Sequence, residues 1–368
     1  MERPETNNEL PSLRKALDEI DKQLVELAAR RQQIVSDIGA IKANEGRQLR
    51  DFRREREVLD AVRLRAEALD LDPQLAEDLI ARLIEASLTK QEQEQVRRAH
   101  RGEGLRALVI GGAGRLGQWL VAFLDAQGYD VTVADPVFSS DQVMTVTGAS
   151  QCVPDWEAVG LAFDVVVLAT PPGITEDLLC ELMSQSTHAL IFDVASIKSP
   201  IQASLRQAAE YGLKICSIHP MFGPSTTLLS GRHVLLMDLG CPQAVQEAKD
   251  LFAETMAQTV EIPLEAHDRL MALVLGLSHL VNLTFVVALM ETGIPADELA
   301  KLSSTTFERQ LEITRDVVAE SPHLYYEIQN LNTEGHIAHD ALSRAVDLLR
   351  SAVAADESTT FVELMVRG

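Results

Sequence analysis

The apolar positions of the first forty residues recur in steps of three and four: Leu10, Leu13, Leu17, Ile20, Leu24, Leu27, then Ile34, Ile38 and Ile41. That spacing predicts one helix of over thirty residues with a coiled-coil-like seam. Asp51, a good N-cap, opens a second helix through Phe52, Arg54, Glu55, Val58, Leu59 and Val62. Asp72-Pro73 opens a third, carrying Leu75, Leu79, Ile80, Leu83 and Ile84, with Ser87 and Gln91 continuing its inner face. The periodicity then fades toward Gly102 and Gly104, so residues 96–104 are expected to link a helical domain (1–95) to the rest. Across 105–262 short apolar runs alternate with helix-like segments: Ala107–Ile110, Val131–Ala134, Val165–Ala169, Ala189–Val194, Lys214–Ile218 and Val234–Met237. A mostly parallel, doubly wound sheet follows from that alternation. Residues 263–368 read as a third, all-helical domain.

The seam of the first helix is broken where an apolar residue is due, at Arg31. A stripe one residue over contains Arg14, Leu17, Asp21, Leu24, Ala28, Arg31, Val35, Ile38 and Lys42. Three cations therefore point toward the buried side, and an unpartnered buried charge is costly. Carboxylates of the protein or an anionic ligand must meet them. At 1.5 Å per residue, Arg31 and Lys42 lie roughly 16 Å apart and can converge on one small molecule, whereas Arg14 and Lys42 lie roughly 42 Å apart. Two such helices packed antiparallel would bring Arg14 of one protomer into the site of the other, which predicts an intertwined dimer with two sites.

Ala107-Leu-Val-Ile-Gly-Gly-Ala-Gly-Arg-Leu-Gly-Gln-Trp-Leu120 sets a strand against a glycine loop and a helix. Gly112, Gly114 and Gly117, with Arg115 and Leu116 between them, form G-x-G-x-x-G: a sharp turn, close backbone approach to a pyrophosphate, and free N–H groups to receive its charge. The next apolar run ends on Asp135, placed to hold the ribose hydroxyls and to repel a 2′-phosphate, so NAD is favoured over NADP. Later strand ends carry Thr170 and Pro171, then Ser196 and Lys198, then His219, which Pro220 holds extended. An imidazole suits base chemistry near neutral pH. Ser278, His279 and Asn282 make a polar patch on an otherwise apolar helix.

Composition narrows the partners. The net charge of −22 argues against nucleic acid and anionic membranes. Residues 1–100 hold 18 Lys+Arg and 21 Asp+Glu, so most of the excess lies beyond them. Leu270–Met290 has no formal charge, yet Ser278, His279, Asn282 and Thr284 interrupt it, so a buried or subunit-interface helix is expected rather than a membrane span. Cys152, Cys180, Cys216 and Cys241 are far apart, which predicts reduced thiols, no zinc site and a cytoplasmic location. The polar first eight residues lack a signal-peptide core.

The set Arg14, Asp21, Arg31, Gly39, Lys42, Asp51, Arg54, Glu55, Ser87 and Gln91 resembles the all-helical chorismate mutase module over about residues 8–95. The resemblance implies rearrangement of chorismate to prephenate by conformational restriction and charge stabilisation, without nucleophile or base. It implies that Arg31 and the partner's Arg14 pair with the carboxylates, with Arg54 beside them. Lys42 and Gln91 would face the ether oxygen, Glu55 would accept from the ring hydroxyl, and Asp51 and Ser87 would complete the wall.

His219-Pro-Met-Phe-Gly-Pro224, with Asp193-Val-Ala-Ser-Ile-Lys198, resembles prephenate dehydrogenase from 105 to about 345. The two halves together resemble bifunctional chorismate mutase/prephenate dehydrogenases of the tyrosine pathway. The fold class implied is an all-α mutase module, an α/β Rossmann-type NAD domain (105–262) and an all-α dimerisation domain (263–368). The resemblance further implies that His219, oriented with help from Ser196, takes the proton of the substrate's 4-hydroxyl during hydride transfer. Decarboxylation then gives 4-hydroxyphenylpyruvate. His279 would lie in the substrate pocket, with a second histidine near His267, and tyrosine is an expected feedback inhibitor. A downstream arginine would hold a substrate carboxylate. Arg315 is favoured and Arg309 held in reserve, although a gapless match places Asp316 there.

Two other readings compete. A 3-hydroxyacid or imine-type dehydrogenase with a helical dimerisation module would need a lysine on the first long helix after the sheet, and Asp268–Met290 has none. A redox-sensing adaptor would have no need of Arg31 in the seam.

Overall fold

The computed structural model describes all residues except 1–8, 46, 48, 140–144, 320, 356, 357 and 368. Helices α1 (Glu9–Asn44), α2 (Phe52–Glu67) and α3 (Pro73–Ala99) form the first unit, with α3 packed on both others. Asp51 caps α2 by accepting from Arg54 N, and Asp72 caps α3 by accepting from Gln74 N, with Pro73 at the first turn. The apolar seam of α1 is open to solvent in the single protomer: Leu13 is 66% and Leu24 51% exposed.

α3 overruns the expected linker. It continues through residues 96–99 and stops at His100, whose φ of 44° is left-handed. Glu92 and Val96 are buried, and the carboxylate of Glu92 accepts from Leu229 N (2.8 Å) and from Met256 N in the next domain. Tertiary contacts thus extend a helix whose own periodicity had faded.

The central domain runs β1 (Arg106–Ile110), α4 (Arg115–Ala126), β2 (Asp130–Ala134), β3 (Gln151–Val153), β4 (Val165–Leu168), α5 (Pro172–Met183), β5 (Leu190–Asp193), α6 (Gln202–Glu210), β6 (Ile215–Pro220), β7 (His233–Asp238), α7 (Pro242–Phe252) and β8 (Gln258–Glu261). The sheet order is β3-β2-β1-β4-β5-β6-β7-β8, parallel except for the β6–β7 pair. β3 and β8 were not foreseen; they are short edge strands whose mixed polar sequences carry little apolar signal. Strand order reverses between β1 and β4, the switch point at which such sheets open a crevice.

The third unit comprises α8 (Leu264–Met271), a π-helical turn (Ala272–Leu277), α9 (Ser278–Glu291), α10 (Ala296–Lys301), α11 (Thr305–Ala319), α12 (Pro322–Asn330), α13 (His336–Ala354) and α14 (Ser358–Arg367). The continuous stretch Leu264–Glu291 is long and apolar enough to cross a membrane by length and composition. Its polar residues serve packing: Asn282 Oδ1 accepts from Gln310 Nε2 (2.9 Å) and Thr314 Oγ1 (3.0 Å), tying α9 to α11. The widened turn frees the Gly276 carbonyl, which accepts from Gln329 Nε2 of α12 at 2.9 Å.

Candidate active sites

At the switch point the backbone of the glycine loop has no room for side chains. A Cβ on Gly112 would meet Val133 Cγ1 at 2.6 Å, and one on Gly117 would meet the Gly111 carbonyl oxygen at 2.3 Å. Gly111, not singled out from sequence, has a φ of +83° and lies against Ala169, so it makes the turn itself. Gly114 caps α4 without a side chain, so Leu116 and Gly117 present first-turn N–H groups suited to an anion. Asp135 follows β2; its carboxylate accepts from Ala113 N (3.2 Å) and Val137 N (3.1 Å), fixed beside the loop. Across the crevice Pro171 is the N-cap of α5, and Thr170 Oγ1 is 2.8 Å from Thr175 Oγ1. These residues fit a dinucleotide lacking a 2′-phosphate.

Next to this loop is a cavity of about 620 Å³, bounded by the start of α4, the ends of β5 and β6, the π turn, and α9, α11 and α12. Ser196, His219 and His279 line it; Thr170 and Pro171 do not, and belong to the dinucleotide crevice alone. His219 was expected beyond its strand, but is the penultimate residue of β6, paired with Leu235 of β7 and only 4% exposed.

Its orientation does not come from Ser196. His219 Nδ1 is 2.9 Å from His267 Nε2, and His267 Nδ1 is 2.6 Å from Asp268 Oδ1. Asp268 also accepts from Lys198 N (2.9 Å), Ser199 N (2.6 Å) and the Ser199 hydroxyl. Those hydrogen bonds hold its pKa down at about 2 against the opposing effect of burial. An ionised Asp268 accepts from His267 Nδ1–H. His267 Nε2 then accepts from His219 Nδ1–H, and His219 Nε2 is left as a lone pair for the cavity. Burial, then the neighbouring His267 and Lys198, push the His219 pKa well below its usual value, so the ring is a neutral base at pH 7. Lys198 is itself buried, bonding Asp193 and the Ile218 carbonyl (2.9 Å). Sequence alone missed Asp268 and undervalued His267; the adjacent His-Asp pair opening the first helix after the sheet was the available signal.

On the helical side, His279 lies edge-on to Tyr325 (4.4 Å between centroids), with Nδ1 buried and without a hydrogen-bond partner among the described residues; burial lowers its pKa to about 4. The expectation for Arg315 is corrected. Thr314 faces inward to Asn282, so the stripe Ile313, Asp316, Val317 faces the cavity and Arg315 points to solvent. Arg309 is also exposed and outside the lining. Among the described residues, the formally charged ones lining the cavity are Arg115 and Asp316.

In the helical module, Arg31 is half-buried and donates to the Leu83 carbonyl (3.0 Å) and Ser87 Oγ (2.9 Å). Lys42 Nζ donates to the Leu49 carbonyl (2.7 Å) and buried Gln91 Nε2 to the Val35 carbonyl (2.8 Å). Neither cation is in an ion pair among the described residues, so both remain available to an anion. Gly39 allows the close approach, since its Cβ would stand 3.0 Å from Gln91 Cγ. Glu55 is held by Arg50 through two bonds of 3.0 Å, and Arg50, not foreseen, also donates to Ser230 Oγ of the central domain at 2.7 Å. Asp51 is exposed and serves as the α2 cap, while Arg54 turns to Glu57 and solvent rather than toward Arg31. Arg14 is exposed on α1, roughly 26 Å along the axis from Arg31.

The fold and the cavity define an NAD-dependent dehydrogenase fused to a helical module with inward cations. The profile for chorismate mutase type II matches residues 13–92, that for the prephenate dehydrogenase nucleotide-binding domain matches 124–261, and that for its dimerisation domain matches 263–367. The chain is 29% identical to a T-protein of Enterobacter agglomerans over 90% of this chain and 84% of the relative. It is 31% identical to a 4-amino-4-deoxyprephenate dehydrogenase of Streptomyces pristinaespiralis, over 70% of this chain and 88% of the relative. A crystal structure of A. aeolicus prephenate dehydrogenase with hydroxyphenyl propionate and NAD+ shares the fold, with a TM-score of 0.60 and 17% identity over 72% of this chain and 95% of that one. The chain belongs to the prephenate dehydrogenase family and has a chorismate mutase domain ahead of it.

Proposed function

We propose that this protein catalyses two consecutive reactions: chorismate to prephenate in the helical module, and NAD-dependent oxidative decarboxylation of prephenate to 4-hydroxyphenylpyruvate in the large cavity. The observation that carries the second reaction is the Asp268–His267–His219 relay, which presents a neutral imidazole nitrogen to a cavity beside the glycine loop. NAD, when bound along that loop, supplies the hydride acceptor. His219 Nε2 accepts the proton of the substrate's 4-hydroxyl as that carbon is oxidised, and returns it to the phenol oxygen once the ring carboxylate has left as carbon dioxide. His267 and Asp268 fix the tautomer, Ser196 faces the reacting ring, and His279 and Tyr325 form the opposite wall. In the mutase module Arg31, Lys42 and Gln91 restrain a dianion and stabilise the charge on its ether oxygen; no proton moves.

The protein is proposed to act as a homodimer. A dimerisation-domain match and the exposed apolar faces of α1 and α9 support this, with the partner's Arg14 completing each mutase site. The four free cysteines fit a reducing, cytoplasmic compartment. Purified protein given prephenate and NAD+ should form NADH and 4-hydroxyphenylpyruvate. No NADH from correctly folded protein would overturn the dehydrogenase reading.

A further inference from the structure

We infer, resting on the two-reaction reading above, that the junction between the helical module and the central domain holds a separate regulatory site. Its ligand is an aromatic monocarboxylate without an ammonium group, the class to which 4-hydroxyphenylpyruvate belongs. A cavity of about 410 Å³ lies at this junction, large enough for a small molecule. Leu49, Arg50 and Phe52, on the segment entering α2, form one wall; Ser230, Met256 and Gln258 of the central domain form the other. It shares no lining residue with the dehydrogenase cavity.

Charge selects the ligand. The chain carries a net −22, yet the charged residues lining this cavity, among the described residues, are Arg47 and Arg50. An anion finds partners there, whereas the ammonium of an amino acid would be desolvated without a counter-ion. Arg50 spends three of its five N–H groups, two on Glu55 and one on Ser230 Oγ, and keeps two for a ligand. Ser230 Oγ accepts from Arg50, so its own O–H is free to donate onward. Arg47 pairs with Glu45 at 3.3 Å, an exposed contact that a ligand carboxylate can displace at little cost. The body of the ligand is apolar because Leu49, Met256 and Phe52 face it. Phe52 is 68% exposed and stacks on the Arg50 guanidinium at 4.3 Å, a platform that a second ring can extend.

Occupation of this site reaches the first reaction through two hydrogen bonds. A carboxylate drawing on Arg50 competes with Glu55, the residue proposed to accept from the ring hydroxyl of chorismate. The Leu49 carbonyl, on the same wall, accepts from Lys42 Nζ at 2.7 Å. A ligand that displaces this segment therefore loosens two residues of the mutase site. The Asp268–His267–His219 relay bonds to no residue of the cavity, so the second reaction is spared. The end product of the second reaction then slows the first.

The test follows loss of chorismate without NAD+, so that only the first reaction runs, on the full-length protein with 4-hydroxyphenylpyruvate as the probe. Saturating probe should lower kcat by about fivefold or more, and excess chorismate should not restore it. Arg47→Ala and Gln258→Glu, at exposed positions of the two domains and outside both catalytic sets, should keep both basal activities and lose the inhibition. Equilibrium dialysis with labelled probe should count two molecules per chain in the unaltered protein, one of them in the dehydrogenase cavity, and one in Gln258→Glu. Inhibition competitive with chorismate, inhibition unchanged in Gln258→Glu, equal inhibition by inorganic phosphate, or one molecule per chain in both proteins would overturn the site. A second molecule lost in Gln258→Glu, in a protein that leaves chorismate unchanged, would uphold the site and sink the mutase reading instead.

Discussion

His219 is the base proposed for the dehydrogenase site, and its tautomer is fixed by His267 and Asp268 behind it. His219→Asn should lower kcat by roughly two to four orders of magnitude, the usual worth of a general base, with little change in KM. His267→Asn leaves the base in place but frees its tautomer, and should cost roughly ten- to hundredfold in kcat. Because only the neutral ring is a base and the His219 pKa is depressed, activity should stay level across neutral pH and fall only as acid protonates the pair. Stability should move the same way. A histidine whose folded pKa lies below its unfolded value contributes stability above the unfolded value, about 6.5, and loses it as pH falls toward the folded one, about 4 for His279. Melting temperatures measured from pH 7 to 4 should decline through that window. His-Pro-Met-Phe-Gly-Pro made His219 legible in the sequence, but His267 is 48 positions away and only tertiary folding closes the relay. Arg315 was misread for a related reason: residue type argued for a cation, while helical register, set by Thr314 facing Asn282, turned Asp316 inward.

At the scale of elements, α3 is a strut common to both active sites. Gln91 faces α1 and the mutase site, and Glu92, the next residue, is locked onto two backbone N–H groups of the central domain. The segment after β6 continues the link, since Met221 to Pro224 line the dehydrogenase cavity while Leu229 and Ser230 are held by Glu92 and Arg50. Glu92→Ala would leave the buried Leu229 N–H and the half-buried Met256 N–H without their acceptor, at a cost of about 1–3 kcal/mol for the buried one and less for the other. Calorimetry should then show the helical module melting earlier and apart from the rest; a single unshifted transition would contradict the strut. The helices, their caps and the central strands were readable because apolar period and cap chemistry agree there. The end of α3 and the edge strands β3 and β8 were not, because long-range contacts decide them.

For the whole molecule, the unfinished surfaces are the informative ones. The α1 seam and the apolar face of α9 remain solvent-exposed in one protomer, and exposed apolar areas of this extent mark association surfaces. The proposed mutase site fits the same picture: Arg31 bonds Ser87, Gln91 bonds the Val35 carbonyl of α1, Lys42 lies further along that helix, and Arg14 lies turns away on it, so we propose that the partner's Arg14 completes the site. The most direct measurement co-expresses the Arg14→Ala and Arg31→Ala variants and follows NADH formation from chorismate and NAD+. Each variant alone should oxidise prephenate normally but make almost no NADH from chorismate. In a two-fold dimer with shared sites, the mixture should recover about a quarter of the mutase capacity, because each mixed dimer holds one intact site. A mixture as inactive as its parents, or an Arg14→Ala protein with full mutase activity, would contradict a mutase site built across two protomers.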